Sequence, residues 1–235
     1  MRPSSPPVSI ADRVAMVREE VARACQRSGR DPASVALVGV TKTYPIAAVA
    51  EALAAGLTDF GENRAQELLP KARAAASMGL QPRWHFIGHL QRNKVREVLP
   101  CIAALHSLDS VRLADEIERT SPRAAERGAA VRLPCYLEVN IAGEETKQGL
   151  APAALPALLE ALATRRHIEV VGLMTIAPRV TDPEQVRPVF KALRQLAAAH
   201  GLAGLSMGMS EDYRVAVEEG ATVVRIGRAL FGARA

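Results

Sequence analysis

The feature that most restricts this chain is an alternation that runs almost its whole length. Short β-type runs stand at Val35 to Val40, Asp59 to Gly61, Trp84 to Gly88, Ala104 to Leu108, Cys135 to Asn140, Val170 to Ile176, Leu205 to Met209 and Thr222 to Ile226. Helical stretches separate them: Ala47 to Ala55, Arg64 to Ala76, Asn93 to Leu99, Val111 to Arg119, Ala153 to Thr164, Pro183 to Ala199 and Asp212 to Glu219, most of them rich in Ala and Leu. Strands that each return through a helix lie parallel, and helices cover the sheet they form. Eight such runs within about 200 residues predict an α/β fold, a single (β/α)8 barrel of the TIM type. A doubly wound open sheet is the alternative. It expects a Gly-rich turn after the first strand, where Thr41-Lys42-Thr43-Tyr44 stands instead.

Ahead of the alternation, Ile10, Val14, Val17, Val21 and Cys25 recur at helical spacing until Ser28-Gly29, which predicts an extra N-terminal helix over Ile10 to Arg27. The Pro- and Ser-rich start, residues 1–8, reads as a flexible segment, and residues 9–235 as one domain, because no repeat, linker or low-complexity stretch divides them. With 49% hydrophobic residues the chain can bury one sizeable core.

Several function classes fall away on composition. Cys25, Cys101 and Cys135 form no Cys-x-x-Cys pair and have no His at ligand spacing, so they read as reduced thiols, with neither disulfide nor metal expected. No apolar h-region opens the chain and no apolar run reaches the roughly 18 residues of a membrane span, so a cytoplasmic protein without membrane contact is expected. The net charge of +5 is scattered among acids and aromatics make up 3%, a poor surface for stacking nucleic acid. A modest positive balance does suit a phosphorylated small molecule.

In barrels of this kind functional groups stand where strands run into the following loops. Those positions hold Lys42, Glu62 with Asn63, His89, Asp109, Asn140, Thr175, Ser210 and Arg225. A lysine after a strand is commonly a solvated loop residue. On a barrel rim, however, partial desolvation lowers its pKa and frees the neutral amine that attacks an aldehyde. Ser206-Met207-Gly208-Met209-Ser210 and Arg225-Ile226-Gly227-Arg228 close the last two β-type runs, whose loops commonly form a barrel's phosphate site. Ser210 offers a hydroxyl, and Gly227 lets backbone amides approach an anion; a pair of tight packing turns is the plainer alternative. A Schiff-base amine facing a phosphate cradle suits pyridoxal 5'-phosphate. Arg225 follows Val223-Val224 and either snorkels or points inward; inward is the expectation, where it can donate to a pyridine nitrogen without yielding a proton. His85, between Trp84 and Phe86, reads as a hydrogen-bonded, half-buried residue, and neither it nor His89 is assigned catalysis. Glu144, Glu145 and Lys147 read as a solvated charged loop over the mouth, with Asn140 beside it as a further candidate ligand contact.

These residues resemble a known family. Val40-Thr41-Lys42-Thr43, Phe60-Gly61-Glu62-Asn63 with Gln66-Glu67, His85-Phe86-Ile87-Gly88, Val139-Asn140-Ile141, Gly172-Leu173-Met174-Thr175-Ile176, Ser206-Met207-Gly208-Met209-Ser210 and Val224-Arg225-Ile226-Gly227 are similar to the pyridoxal-phosphate homeostasis proteins, relatives of the alanine racemase barrel, from about Ile10 to Arg234. The resemblance implies that Lys42 forms the Schiff base, that Asn63 lies beside the ring and that Arg225 faces the pyridine nitrogen. It also implies that Ser210, Gly227 and Arg228 hold the phosphate. Arg228 stands where Thr or Ser is usual, so the expectation attaches to its backbone amide.

The resemblance implies a carrier and regulator of pyridoxal phosphate in vitamin B6 and amino-acid balance, without robust catalysis of its own. Its partners would be the cofactor and pyridoxal-phosphate-dependent apoenzymes, with no nucleic acid, and a monomer is expected. The alternative is an amino-acid racemase, which needs a second acid/base group opposite Lys42. Alanine racemase takes that group from a tyrosine of an additional β-domain, and Tyr44, Tyr136 and Tyr213 belong to none. A barrel aldolase acting on a sugar phosphate would share the lysine and the anion site.

Overall fold

The computed structural model describes residues 8–126, 132–144 and 147–232. The expected flexible start lies outside the described residues apart from Val8, as does Glu145 of the charged loop. Among the described residues eight parallel strands close into a barrel: β1 (Ala36–Val40), β2 (Asp59–Glu62), β3 (Arg83–Phe86), β4 (Ala104–Leu108), β5 (Leu133–Glu138), β6 (Ile168–Met174), β7 (Gly204–Ser206) and β8 (Val223–Ile226). β1 pairs with β8 and completes the ring, with Val38 opposite Arg225. The outer layer holds α2 (Ile46–Ala54), α3 (Ala65–Ser77), α4 (Val95–Val98), α5 (Val111–Ala125), α6 (Leu155–Leu162), α7 (Arg187–Ala199), α8 (Tyr213–Glu218) and α9 (Arg228–Phe231). None of these helices is long and apolar enough to cross a membrane.

The extra helix α1 (Ile10–Arg27) has the bounds its periodicity predicts. Ser9 Oγ accepts from the Asp12 amide at 3.1 Å while Asp12 Oδ2 accepts from the Ser9 amide at 3.2 Å, a capping box that satisfies donors otherwise orphaned at a helix start. Val14, Val17, Val21, Ala24 and Cys25 are buried where α1 crosses α2, α8 and α9. Past its end, Arg30 donates to the carbonyls of Val217 and Ala221 at 2.7 and 2.9 Å and ties the helix to the α8 side of the barrel.

Boundaries differ from the sequence reading where backbone contacts intervene. β3 stops at Phe86 rather than Gly88, because Gly88 is pressed against the backbone of Asn63; a Cβ there would stand 2.3 Å from the Asn63 carbonyl oxygen. β7 stops at Ser206 rather than Met209, because Gly208 turns left-handed at φ 92°. α5 runs on to Ala125 through Pro122, past the expected end at Arg119. The Asn93 to Leu99 stretch is α4 flanked by 3-10 turns, and the turn before α7 is likewise 3-10. α9 follows β8 directly and had no counterpart in the sequence reading.

The apolar core lies between barrel and helices, where Phe60, Phe86, Phe190, Leu68 and Leu105 are fully buried. The barrel interior differs: Asp59, His85, His106, Tyr136, Ser206 and Arg225 meet there instead of the branched aliphatic layers usual in such barrels.

Candidate functional site

Lys42 follows directly on Thr41, the first residue beyond β1, and the turn it occupies is held unusually firmly. Thr41 is fully buried; its hydroxyl donates to Glu62 Oε1 at 2.7 Å and its carbonyl accepts from Lys71 Nζ at 2.6 Å. Lys71 also lies 2.5 Å from Glu62 Oε1, forming a buried pair between the end of β2 and α3. Burial pushes the Glu62 carboxyl up, opposed by its hydrogen bonds from Lys71 and Thr41 and by the Lys71 charge. Thr43 has φ 69°, a left-handed conformation rare for a β-branched residue, and its amide donates to Glu67 Oε2 at 2.6 Å. Lys42, itself half-buried, is thus gripped on both sides by the β2–α3 segment. Glu62, counted among the rim groups from sequence, belongs to this supporting layer.

Arg225 points inward, as expected, and is 4% exposed. Its Nη1 donates to the Ser206 carbonyl at 2.7 Å and to Ser206 Oγ at 2.5 Å; its Nη2 donates to the Thr175 carbonyl at 2.9 Å. These three bonds leave two of the five guanidinium N–H groups for other acceptors. Burial lowers its pKa to about 10, against the charges of Glu138, Asp212 and Tyr136, so it stays cationic near neutrality. Thr175 supports Arg225 through its carbonyl while its hydroxyl donates to the Val139 carbonyl at 2.8 Å.

The loops after β7 and β8 meet as predicted. The Ala229 amide in α9 donates to Ser210 Oγ at 3.3 Å, and Asp212 Oδ1 accepts from the Met209 amide at 2.6 Å, which fixes the loop carrying Ser210. Gly208 packs tightly against α8, where a Cβ would stand 2.6 Å from Ala216 Cβ; at Gly227 a Cβ would meet the Val40 carbonyl oxygen at 3.4 Å, and φ is −106°. Gly227 is therefore not compelled by conformation. The Arg228 side chain turns outward to Glu211, 2.8 Å away, leaving its backbone at the turn.

Asn63 stands at the end of β2, and its Oδ1 is buried without a hydrogen-bond partner. It edges a cavity of about 540 Å³ between the loops after β2 and β3, also lined by Arg64, Gln66, His89, Gln91 and Lys94. Lys42, Ser210 and Arg225 do not line that cavity. His89 is exposed and 3.8 Å from Asp109. Asn140 Nδ2 donates to the Glu144 carbonyl at 2.9 Å and closes its own loop, while Lys147 reaches Glu144 Oε1 at 2.6 Å.

Sequence reasoning missed Glu138, His106, Asp212 and Lys71. Glu138 ends β5 with 5% of its surface exposed, and burial pushes its carboxyl up to about 7 against the Arg225 charge. The available signal was alternation: Tyr136 and Glu138 sit two apart on a strand, hence on one face.

Glu138 makes a prediction about pH. An acid whose folded pKa, about 7, exceeds its ordinary 4.5 holds more protons folded than unfolded, so its contribution is complete at low pH and is lost as pH rises toward 7. Between about pH 5 and about pH 8, Glu138→Gln should remove on the order of 3 kcal/mol of the decline in unfolding free energy. Urea midpoints across that range decide it; an unchanged decline would assign the slope to other groups.

Comparison with known proteins supplies the family context. The family model for the alanine racemase N-terminal domain matches residues 14–235. A pyridoxal phosphate homeostasis protein of Aquifex aeolicus is 42% identical over 233 residues, covering 97% of this chain and 99% of the relative. One of Pseudomonas aeruginosa is 43% identical over 228 residues, 96% of each. Among solved structures, PipY of Synechococcus elongatus with pyridoxal phosphate bound superposes with TM-score 0.80 at 34% identity, covering 95% of this chain and all of that one.

Proposed function

The chain belongs to the pyridoxal phosphate homeostasis proteins, within the alanine racemase N-terminal domain family, and from that premise we propose that it binds pyridoxal 5'-phosphate as a Schiff base on Lys42 and serves vitamin B6 and amino-acid homeostasis without robust catalysis of its own. Asn63 lies beside the ring in this reading, and its unpartnered Oδ1 fits a polar ligand there. Ser210, Gly227 and the Arg228 amide take the phosphate, and Arg225 faces the pyridine nitrogen. Pyridoxal-phosphate-dependent apoenzymes are the proposed recipients, served by a monomer.

The observation that carries the reading is the state of Arg225: a buried guanidinium, immobilised by Ser206 and Thr175, with N–H groups to spare beside the loop of Ser210. When bound, the cofactor would supply electron withdrawal through its ring. An arginine at the ring nitrogen donates a hydrogen bond but keeps its proton, so this withdrawal stays weak. The tyrosines point the same way. Tyr44 donates to the Gly232 carbonyl at 2.6 Å, Tyr136 packs on His106 inside the barrel and Tyr213 is buried. In this reading none of the three serves as the second base of a racemase.

The test is a spectrum of the purified protein mixed with the cofactor, before and after borohydride, followed by peptide mapping. One reduced adduct at Lys42, with no racemisation or transamination over a panel of amino acids, is expected; the lack of any adduct overturns the reading. Ser210→Ala should weaken pyridoxal phosphate binding by roughly 1 to 3 kcal/mol, the range for a charge-assisted hydrogen bond, and leave unphosphorylated pyridoxal unaffected. Equal weakening of both ligands would place Ser210 away from the phosphate.

A further inference from the structure

A line of hydrogen bonds crosses the inside of the barrel and ends on Arg225. His85 Nε2 lies 2.8 Å from Asp59 Oδ1, His85 Nδ1 lies 2.9 Å from His106 Nε2, and His106 Nδ1 lies 2.8 Å from Ser206 Oγ, which accepts from Arg225 Nη1 at 2.5 Å. The five residues come from β2, β3, β4, β7 and β8. Because β4 and β7 are not neighbours in the sheet, the bond between His106 and Ser206 spans the interior. Cofactor binding alone does not require such a line. Burying two imidazoles where aliphatic side chains would pack is costly unless every polar atom is matched.

Burial keeps His106 neutral, and with that the chemistry of the two ends allows two proton arrangements. Arginine can only donate, so Ser206 Oγ accepts from Arg225. Burial pushes the Asp59 carboxyl up, but hydrogen bonds from His85 and Thr58, with the charges of His85 and Arg83, outweigh this and hold it below its ordinary range. It is therefore an ionised acceptor, and His85 Nε2 carries a proton. With His85 neutral, His106 donates from Nε2 to His85 Nδ1 and accepts the Ser206 hydroxyl proton at Nδ1. With His85 protonated, both of its nitrogens donate, so His106 must accept at Nε2 and donate from Nδ1 to Ser206 Oγ. The second arrangement holds one proton more than the first: it is gained at His85 Nδ1, the single His106 proton moves in net from Nε2 to Nδ1, and Ser206 has its hydroxyl proton in both states.

We propose that His106 is a positioning residue for Arg225, one that carries the protonation state of His85 across the barrel to the guanidinium by exchanging its tautomer while keeping its charge. In one state Ser206 Oγ donates to His106 and is a strong acceptor for Arg225; in the other it accepts from both sides and holds Arg225 less firmly. The donor strength left for an acceptor at the mouth changes accordingly. His106 can act in this way because burial first, then the nearby charges of His85 and Arg225, hold its pKa well below the ordinary histidine value. Other titratable groups face the line. Tyr136 from β5 stacks at 4.6 Å on His106, Glu138 and Asp212 face Arg225, and Arg83 stands 3.6 Å from Asp59. Solvent reaches the far end, where the Asp59 side chain is 14% exposed.

That the line ends at a cofactor's ring nitrogen rests on the function proposed above, but the relay can be tested without cofactor. In the full-length protein labelled with nitrogen-15 at histidine and arginine, nuclear magnetic resonance during a pH titration should show His106 exchanging from the Nε2–H to the Nδ1–H tautomer as His85 takes up its proton. The Arg225 Nε–H signal should move with the same midpoint. Ser206→Ala should leave the His85 titration in place and abolish the response at Arg225, and Ser206→Thr, which keeps the hydroxyl, should restore it. A single His106 tautomer throughout, or an Arg225 signal that tracks His85 in Ser206→Ala, overturns the proposal. With cofactor added, its absorbance should titrate with that midpoint in the parent and not in Ser206→Ala. Failure to bind cofactor while the tautomer exchange persists would instead sink the proposed function and leave the relay standing.

Discussion

Replacing Lys42 by alanine should abolish the borohydride-reducible adduct and leave the barrel folded. The expected effect is all or none on the covalent link, because the Schiff base is the only bond that the amine makes to an aldehyde. The backbone at Lys42 is set by its neighbours, through the Thr41 bonds to Glu62 and Lys71 and the Thr43 amide bond to Glu67. Truncating a half-buried loop side chain removes little core contact, so stability should change by less than about 1 kcal/mol. Lys71 is the natural decoy. It is held by Glu62 and by the Thr41 carbonyl, with its side chain 12% exposed, on the helix side of the strand ends. Mass spectrometry of reduced, digested Lys42→Ala should find no modified lysine peptide, and an adduct at Lys71 or elsewhere would remove Lys42 from its role. Residual binding held by the phosphate loops should persist, visible as cofactor that dialyses away.

The alternation of strands and helices was legible because it rests on local periodicity, and the same holds for α1, whose apolar spacing and capping residues lie within one helix. The inward orientation of Arg225 was legible too, since a cation between apolar neighbours on a buried strand has few other places to go. What the chain did not disclose is what Arg225 meets there. His106 and Ser206 lie one hundred residues apart, and only barrel closure brings them to 2.8 Å. Likewise Glu62 ends β2 as expected, but its partner Lys71 lies on the following helix, so its part in holding the Lys42 turn was not visible. The close packing of Gly208 against Ala216 was equally hidden, because a glycine in sequence does not show its φ or what a Cβ would strike. Strand polarity, closure and glycine contacts are tertiary facts, which local periodicity does not carry.

Arg225→Glu should be the most damaging single change in the barrel interior, and also the one that most alters the bound cofactor's reactivity. It removes the donors that satisfy the Ser206 carbonyl, Ser206 Oγ and the Thr175 carbonyl, and it sets a carboxylate among Glu138 and Asp212 with no cation left between them. Breaking a buried ionic arrangement in this way costs about 3 to 5 kcal/mol. Burial already raises the Glu138 carboxyl to about 7 with Arg225 present, and without that cation the clustered acids should hold their protons to still higher pH. The variant should therefore be most stable in acid and weaken as pH rises through neutrality, more steeply than the parent. Denaturant midpoints at several pH values test that sign. The chemical consequence is separate. A carboxylate at the pyridine nitrogen stabilises the protonated ring, the stronger electron sink, so keto acid released from added alanine should increase when counted per bound cofactor. No increase would mean that Arg225 does not govern the ring nitrogen. Parent turnover at the level of a true racemase would defeat the carrier reading as well, since a guanidinium that keeps its proton is the physical reason for expecting restraint.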